Sequence, residues 1–529
     1  MDTPPPATTA DSDDSWLWTR RAIWLLSGLA LFRILYLALD PFDLVHDEAY
    51  YWDWSRQLDY GYFSKPPMIA WIIGLSTRLL GDTEFAVRLP ATLLGTGSLA
   101  FVFLLARRMY DAKVGFWALA LAAMTPGNVA MSLLMTIDSP FLFFWSAAMY
   151  CFWRLLERGE GRWKWIVATT IVIGLGLLTK QTMAGMLVFG GLFVLLSRED
   201  RHEAIRPTLY LCAVGALLFL APVFYWNYQH DWVTLHHTSE HFQGESVSIA
   251  RRVLISLEFV GGLFGVISPV TFFLFGCVTA FGLFAFPSMG RRERYLLCLS
   301  ALPMVLVLGL SLKQRLELNW PAPFFSAGII LVAAWGLGRY PLPSLFLKPG
   351  EWRLRHAATV GALFLIATYA MPLLLPVMGL NGSKVDVLVR LRGWEELGDQ
   401  VGTRLQDRDT PSQAMIVTAG RAVASELAFY MPQHPQVYLW GDNRFPLSQY
   451  DVWGGPDETG SQDFLLVTHH GDEIPLPLRM AFESIEPLED VEVEVGPNRK
   501  HAVTIYQGQG FRGWSVAKSI QADQQTLRR

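Results

Sequence analysis

The amino-acid sequence predicts an α-helical polytopic membrane protein with about eleven transmembrane helices and a C-terminal soluble α/β domain. The 529-residue chain is 52% hydrophobic and only 17% charged, and its apolar residues form long runs rather than amphipathic stripes. Many of its 20 tryptophans lie at the ends of those runs, as is typical of a membrane interface. From Gly382 onwards the composition turns polar. Strands predicted at 414–418, 436–440, 464–468 and 502–506 and a helix predicted at 421–430 indicate a separate α/β domain.

Three parts follow along the chain. Residues 1–21 are predicted to be a disordered cytoplasmic tail, 22–380 the transmembrane domain, and 381–529 the α/β domain. The first span, Ala22 to Leu39, lacks the short core and A-x-A exit of a cleaved signal, and its Arg33 is expected to snorkel or to face protein. The four cysteines lie in or beside apolar runs, so we expect packing residues rather than disulfides.

The distribution of lysine and arginine predicts the orientation of the spans. Basic loops recur at 107–113, 154–164, 198–206, 291–294 and 339–355, and the positive-inside rule assigns them to the cytoplasm. The first loop, residues 41–86, and everything after about residue 380 are then periplasmic.

The most distinctive stretch follows the first span and contains His46-Asp47-Glu48-Ala49-Tyr50 and, further on, Tyr62 and Lys65-Pro66-Pro67. A carboxylate can take a proton from a nucleophile, and a lysine can neutralise a phosphate. Helix capping would explain one of the two acids but not both together with His46 and the aromatic residues. Lys65 could instead snorkel at the interface.

Further charged and polar residues lie at the outer ends of the spans: Arg88, Asp138, Lys180, Lys313, Arg315, Glu317 and Asn319. Asp138 could simply cap its helix ahead of Pro140, and Lys180 could snorkel. A transporter would need ionisable groups near the middle of the spans. The pattern therefore favours a cavity that opens outward. His236, His237, Glu240 and His241 have the spacing of a zinc site, although a polar loop is the favoured interpretation.

An ordered set of these motifs resembles a known family. It comprises Asp47-Glu48 with Tyr50, Lys65-Pro66-Pro67, Glu84 to Arg88, Asp138-Ser139-Pro140, Leu178-Thr179-Lys180, Glu317 to Ala322, and Glu426 to Tyr430. The set resembles the GT-C class of polytopic glycosyltransferases, in the bacterial branch related to protein O-mannosyltransferases and to the aminoarabinose transferase that modifies lipid A.

The resemblance implies an inverting glycosyltransferase that uses a polyprenyl (undecaprenyl) phosphate sugar and no metal or other cofactor. It implies a periplasmic acceptor such as lipid A, lipopolysaccharide core or a protein. Catalytic roles would fall to Asp47 as the base, with Glu48 and Asp138. The donor phosphate would be bound by Lys65, Lys180, Lys313 and Arg315. The substrate would be lined by His46, Tyr50, Tyr62, Arg88, Glu317 and Asn319.

Two departures from the family pattern limit what carries over. The segment from Lys313 to Trp320 lacks the tyrosine-bearing form of the aminoarabinose enzyme, which affects the donor contacts, and the family's C-terminal tail varies, which affects the acceptor. The sugar is not specified by the sequence. A transporter or flippase of a lipid-linked precursor, or an oligosaccharide ligase, is the alternative function. The net charge of −4 argues against a nucleic-acid partner, and we expect a monomer in the bacterial inner membrane.

Overall fold

The computed structural model describes residues 9–39, 42–157, 159–240, 248–342, 347–406, 414–441, 445–456, 463–497 and 499–527. The chain forms two compact units. The first contains the described residues within Met1–Leu39, Arg88–Tyr225 and Ser239–Ala370, and the second those within Asp40–Val87, Trp226–Thr238 and Met371–Arg529. The second unit thus includes the predicted first loop, residues 41–86, together with the residues from Met371 onwards. The predicted domain boundary near residue 380 stays a prediction.

Helices account for most of the structure. The first half of the chain forms α1 (Thr9–Ala38), α2 (His46–Arg56), α3 (Met68–Leu80), α4 (Glu84–Met109), α5 (Ala112–Ala123), α6 (Pro126–Leu133), α7 (Asp138–Leu156), α8 (Arg162–Leu177), α9 (Ala184–Leu196), α10 (Pro207–Leu218), α11 (Ala221–Gln229) and α12 (Val233–Glu240). The second half forms α13 (Ile249–Ile267), α14 (Pro269–Phe284), α15 (Arg291–Leu299), α16 (Ala301–Ser311), α17 (Ala322–Gly336), α18 (Glu351–Val377), α19 (Trp394–Gln406), α20 (Gly420–Tyr430), α21 (Gln449–Trp453), α22 (Leu476–Met480) and α23 (Trp514–Leu527).

The membrane-length helices lie mainly in the first unit. Among the described residues, five stretches are long and apolar enough to cross a membrane: Asp14–Ala38, Glu84–Met109, Pro207–Gln229, Arg291–Ser311 and Glu351–Val377. Two bent pairs, α5 with α6 at 74° and α13 with α14 at 115°, raise the number to seven if each pair is one span. A proline opens the second helix of both pairs, where its fixed φ suits a new first turn and cannot continue the old helix. The chain is thus a multi-pass membrane protein, and the predicted number of about eleven spans stays a prediction.

The first helix differs from the predicted tail. It begins at Thr9, so the described part of the predicted disordered segment, up to Arg21, is helical. Further along this helix, Arg33 is fully buried. Its Nε donates to the Tyr369 hydroxyl at 2.9 Å, and its Nη2 donates to Asn128 Oδ1 at 2.7 Å. Arg33 therefore faces protein, because α6 and α18 supply the acceptors that its buried guanidinium needs.

The second unit contains the α/β domain that the sequence predicts. Strands β1 (Ala414–Val417), β2 (Gln436–Leu439), β3 (Phe464–His469), β4 (Ser484–Gly496) and β5 (Arg499–Gln509) form one sheet in the described residues, in the order β2-β1-β3-β5-β4. β1 is parallel to β2 and β3, whereas β5 is antiparallel to β3 and β4. Ile416 and Leu466 belong to a core completed by side chains of α22 and α23, including Leu478 and Ala517. The N-terminal helix of this unit, α2, packs on α20.

Candidate active site

Glu48 stabilises the N-terminal turn of α2. This helix follows Val45, whose backbone is extended (φ −81°, ψ 145°), and Glu48 Oε2 accepts a hydrogen bond from the Val45 N–H at 3.1 Å. The bond satisfies one of the N–H groups that a helix start leaves without an intrahelical partner. The Glu48 side chain is fully buried. Glu48 therefore caps α2, and its predicted catalytic role stays a prediction.

Asp47 remains accessible in the same turn. Its side chain is 40% exposed, and its Oδ1 lies 3.1 Å from Arg421 Nη1. His46 Nε2 lies 3.9 Å from the same oxygen. Consecutive helical residues point in different directions, which explains why one acid of the pair is buried and the other is available to a substrate.

Arg421 is a site residue that the predicted set omits. It is the second residue of α20, and its Cζ lies 4.6 Å from the centroid of the Tyr50 ring. A guanidinium over an aromatic face is a favourable cation–π arrangement, and it orients Arg421 towards Asp47. The only signal in the sequence is that Arg421 lies just before the Glu426 to Tyr430 motif.

The histidine and the two tyrosines of the predicted site differ in accessibility. The His46 side chain is 24% exposed, and burial lowers its pKa although Asp47 opposes the shift. Tyr50 is buried, and its hydroxyl accepts a hydrogen bond from the Gln449 N–H at 2.5 Å. Tyr62 is fully buried and stacks on Trp54 at 4.4 Å, with its hydroxyl donating to the Trp54 carbonyl. Both tyrosines are buried in the core, and their predicted role in lining the substrate stays a prediction.

Lys65 and Glu84 flank α3 in the second unit. Lys65 is partly buried in the loop before this helix, and its carbonyl accepts from the Tyr62 N–H at 3.1 Å. Glu84 accepts a hydrogen bond from the Tyr430 hydroxyl, which in turn accepts from the Leu44 N–H at 2.6 Å. Burial, together with the nearby carboxylates, raises the pKa of Tyr430 far above its usual value. These contacts attach the Glu426 to Tyr430 motif to the start of the first loop.

In the first unit, the structure brings together three predicted residues that are far apart in the sequence. Lys180 Nζ lies 2.8 Å from Asp138 Oδ1, and Asn319 Nδ2 donates to Asp138 Oδ2 at 2.5 Å. The Asp138 and Lys180 side chains are only 7% and 13% exposed. Both oxygens of Asp138 thus have partners, and its predicted catalytic role stays a prediction.

The other predicted charged residues of the first unit lie in two settings. Lys313, Arg315 and Glu317 are exposed in the loop between α16 and α17, and within the described residues no ion pair involves any of the three. Arg88 is 1% exposed near the start of α4. The structure therefore leaves Lys313 and Arg315 open to an anionic ligand, whereas Arg88 is a buried cation.

The histidine loop does not form a metal site in the part of the chain that the structure describes. No group of three or more His, Cys, Asp or Glu side chains there has the arrangement of a metal site. His237 packs on Phe63 with ring centroids 4.7 Å apart, and His241 lies outside the described residues. The predicted independence from a metal stays a prediction.

The chain is similar to known glycosyltransferases along most of its length. Residues 64–226 match the family described as dolichyl-phosphate-mannose-protein mannosyltransferase. The chain is 30% identical over 451 residues to the lipid A galacturonosyltransferase RgtD of Rhizobium johnstonii, covering 82% of this chain and 87% of that protein. The chain belongs to the GT-C class of glycosyltransferases, in the superfamily of the protein O-mannosyltransferases and the lipid A aminoarabinose transferases.

Two further relatives agree with this membership. The undecaprenyl phosphate-α-4-amino-4-deoxy-L-arabinose arabinosyl transferase of Pseudomonas aeruginosa is 27% identical over 289 residues, and the match covers 49% of this chain and 51% of that enzyme. Crystal structures of ArnT from Cupriavidus metallidurans share the fold. The apo state has a TM-score of 0.62 at 16% identity and covers 93% and 98% of the two chains. The state bound to undecaprenyl phosphate has a TM-score of 0.58 at 17% identity and covers 92% and 97%. This GT-C enzyme thus has an ArnT-like fold.

Proposed function

We propose that this glycosyltransferase moves a sugar from undecaprenyl phosphate to lipid A on the periplasmic face of the inner membrane. The observation that carries the proposal is the 30% identity to a lipid A galacturonosyltransferase across 82% of the chain. The ArnT structure with bound undecaprenyl phosphate supports the same lipid carrier for the donor. Galacturonic acid is the first sugar to test because RgtD matches more of the chain than the aminoarabinose enzyme does.

The reaction requires modest chemistry from the protein. An acceptor hydroxyl oxygen attacks the anomeric carbon of the donor, the bond to the lipid phosphate breaks with its electron pair, and the hydroxyl proton passes to a base. Because attack occurs opposite the departing phosphate, the anomeric configuration inverts. Positioning the two substrates and neutralising the departing phosphate supply most of the rate enhancement in such a transfer.

Asp47 is the proposed base. Its carboxylate is accessible at the first turn of α2, whereas the neighbouring Glu48 is buried in the cap. Arg421 at 3.1 Å orients the Asp47 carboxylate by a charge-assisted hydrogen bond. His46 lies beside it, and burial keeps the imidazole neutral at pH 7 by lowering its pKa.

Lys180 is the proposed cation for the donor phosphate in the first unit. Asp138 holds the Lys180 ammonium through one oxygen, and Asn319 holds Asp138 through the other. An ammonium has three donors, so the pair with Asp138 leaves Lys180 able to donate to a phosphate oxygen. Lys65, Lys313 and Arg315 are the further cations proposed to act on anionic lipid groups, as the family resemblance implies.

Reconstituted full-length enzyme tests the function. Nanodiscs with lipid A and undecaprenyl phosphate carrying either galacturonic acid or aminoarabinose would be incubated, and the lipid A analysed by mass spectrometry. We expect lipid A to gain the mass of one sugar residue with one of these donors, and not with Asp47→Asn. Movement of the intact donor across the bilayer without a product would favour a flippase, and transfer of a preassembled oligosaccharide would favour a ligase.

A further inference from the structure

A cationic cavity lies in the second unit beside the first turn of α20. Its volume is about 600 Å³. The side chains that give it its chemical character are Trp394, Arg421, His469, His470, Lys500 and His501. None of its lining residues is an aspartate or glutamate. A cavity with this lining suits an anion.

The start of α20 adds hydrogen-bond donors to this cavity. Ala419, at the N-cap position, cannot accept a hydrogen bond with its side chain, and no side chain caps this helix. Gly420 follows with φ +87°, and no heavy atom lies within 4 Å of the position that a Cβ would occupy there. The first residues of α20, an eleven-residue helix, line the cavity from Gly420 to Val423, and the N–H groups at a helix start favour a bound anion.

The surrounding charges identify which side chains remain available. Lys500 Nζ lies 2.5 Å from Glu492, and His470 Nδ1 lies 3.2 Å from Asp490. Both acids belong to the neighbouring strand β4 and do not line the cavity. His469 is exposed at the end of β3.

The remaining histidine of the lining is held in place by its neighbours. His501 stacks on Trp394 at 3.9 Å, and its Nε2 lies 3.0 Å from the Arg392 carbonyl. Its imidazole is therefore a fixed wall of the cavity. Arg421 and Lys500 each keep N–H donors beyond the one that contacts a carboxylate, and His469 is exposed.

A second cavity beside the same helix has the opposite character. It measures about 510 Å³ and shares Gly420 and Arg421 with the first, but it is also lined by Asp451, Asp472 and Glu473. These carboxylates would repel an anion. The cationic cavity is therefore the place for one, and Arg421 is the side chain between the two.

We infer that the cationic cavity binds a phosphate group of the glycolipid acceptor and that Arg421 connects this phosphate to the base Asp47. The inference rests on the proposed function. Arg421 donates one N–H to Asp47, and a guanidinium has five N–H donors. The same side chain can therefore bind a phosphate oxygen and the Asp47 carboxylate together. Three kinds of donor converge on the cavity, which suits the three terminal oxygens of a phosphate monoester better than the two oxygens of a carboxylate.

Steady-state kinetics of full-length enzyme in nanodiscs tests the acceptor side. The variant is His469→Gln/Lys500→Gln, which keeps exposed side chains of similar size. The control is Arg499→Gln, an exposed cation adjacent to Lys500 on β5 that does not line the cavity. We expect KM for phosphorylated lipid A to rise about ten-fold in the variant, as loss of charge-assisted bonds implies, with kcat unchanged and the control unaffected.

Two comparisons locate the phosphate. Wild type and variant should have equal KM values for enzymatically dephosphorylated lipid A. A rise in KM for the undecaprenyl phosphate sugar instead of the acceptor would overturn the inference, because the cavity would then act on the donor. An equal rise in KM with both forms of lipid A would overturn it as well.

Direct binding separates this inference from the proposed function. ³¹P NMR line broadening of inorganic phosphate by the full-length enzyme should be strong for wild type and for Arg499→Gln, and weak for His469→Gln/Lys500→Gln. Equal broadening in all three proteins would overturn the site. If the cavity binds phosphate in this way and no sugar reaches lipid A, the site stands and the proposed function fails.

Discussion

At the scale of single residues, the two adjacent acids Asp47 and Glu48 have separate tasks. Asp47 is 40% exposed beside Arg421, whereas Glu48 is buried and caps α2 through the Val45 N–H. In the other unit, one carboxylate oxygen of Asp138 contacts Lys180 and the other accepts a hydrogen bond from Asn319. Of these three acids, Asp47 has the most exposed carboxylate, whereas Glu48 and Asp138 are buried and bonded to other parts of the protein.

Asp47→Asn should abolish most of the transfer activity. The amide keeps the shape and hydrogen-bonding reach of Asp47 but cannot take the proton, so kcat should fall by about 10²–10⁴ while KM for the donor stays the same. Product formation by mass spectrometry measures both. Normal turnover in Asp47→Asn would remove Asp47 from the mechanism.

Glu48→Ala is the matched comparison. Loss of a helix cap should cost about 0.5–2 kcal/mol of stability, measured as a lower unfolding temperature in detergent, with folded enzyme retaining most of its kcat. If Glu48→Ala is folded but inactive while Asp47→Asn is active, the catalytic base is Glu48 and not Asp47.

The Asp138–Lys180 pair should show strong coupling in a double-mutant cycle. Removing either partner leaves a nearly buried charge without its counterion, which costs about 3–5 kcal/mol. Asp138→Asn and Lys180→Met should each lower the unfolding temperature more than the double variant does. Additive effects of the two substitutions would mean that the pair does not act as a unit.

At the scale of elements, local sequence predicts most helices and strands well, and the exceptions have identifiable causes. The segments predicted around 414–418, 421–430, 436–440, 464–468 and 502–506 appear as β1, α20, β2, β3 and β5. β4 is absent from the prediction, although Val491 to Val495 alternate valine with glutamate, a period-two signal that its many charges obscure. Its pairing with β5 at the edge of the sheet explains both the alternation and the exposed acids.

Acidification should destabilise the α/β domain through His501. Burial against Trp394 lowers the pKa of His501 in the folded protein. In the unfolded chain the imidazole has its ordinary pKa of about 6.5, so it is protonated at a higher pH than in the folded protein. The unfolded state then binds more protons below about pH 6.5, and stability falls as the pH drops further, with no contribution from this group above it. The unfolding temperature of the full-length enzyme should decrease between pH 7 and 5.5.

His501→Gln is the control for this titration. The glutamine cannot be protonated, so the decrease in unfolding temperature between pH 7 and 5.5 should be smaller than in wild type. His46, whose pKa burial also lowers, contributes in the same direction and accounts for part of the remaining slope. An identical slope in wild type and His501→Gln would contradict the assignment.

At the scale of the whole molecule, the chain is a multi-pass membrane protein with a second unit that combines the first loop, part of the loop before α13 and the C-terminal domain. Charge in the connecting loops predicts orientation. The first loop and the C-terminal domain should therefore lie on the same side, since α2 packs on α20 within that unit.

Labelling with membrane-impermeant thiol reagents tests this orientation. With the four native cysteines replaced by alanine, a cysteine at Ser64 should react from the periplasmic side and one at Gly290, in the predicted cytoplasmic loop, should not. Permeabilised cells provide the control in which both positions should react. The reverse pattern in intact cells would overturn the topology.

The sequence by itself determined the class of the protein, because membrane insertion depends on the length and polarity of segments and the family shares ordered local motifs. It also determined most strands of the α/β domain, since alternation and turn residues are local signals. Only the tertiary structure decided which charged groups meet. Contacts between distant parts of the chain form the Asp138–Lys180–Asn319 cluster and the Asp47–Arg421 pair. Such contacts also bury Glu48, Tyr50 and Tyr62. Burial and pairing of a side chain are properties of those contacts, and local sequence does not encode them.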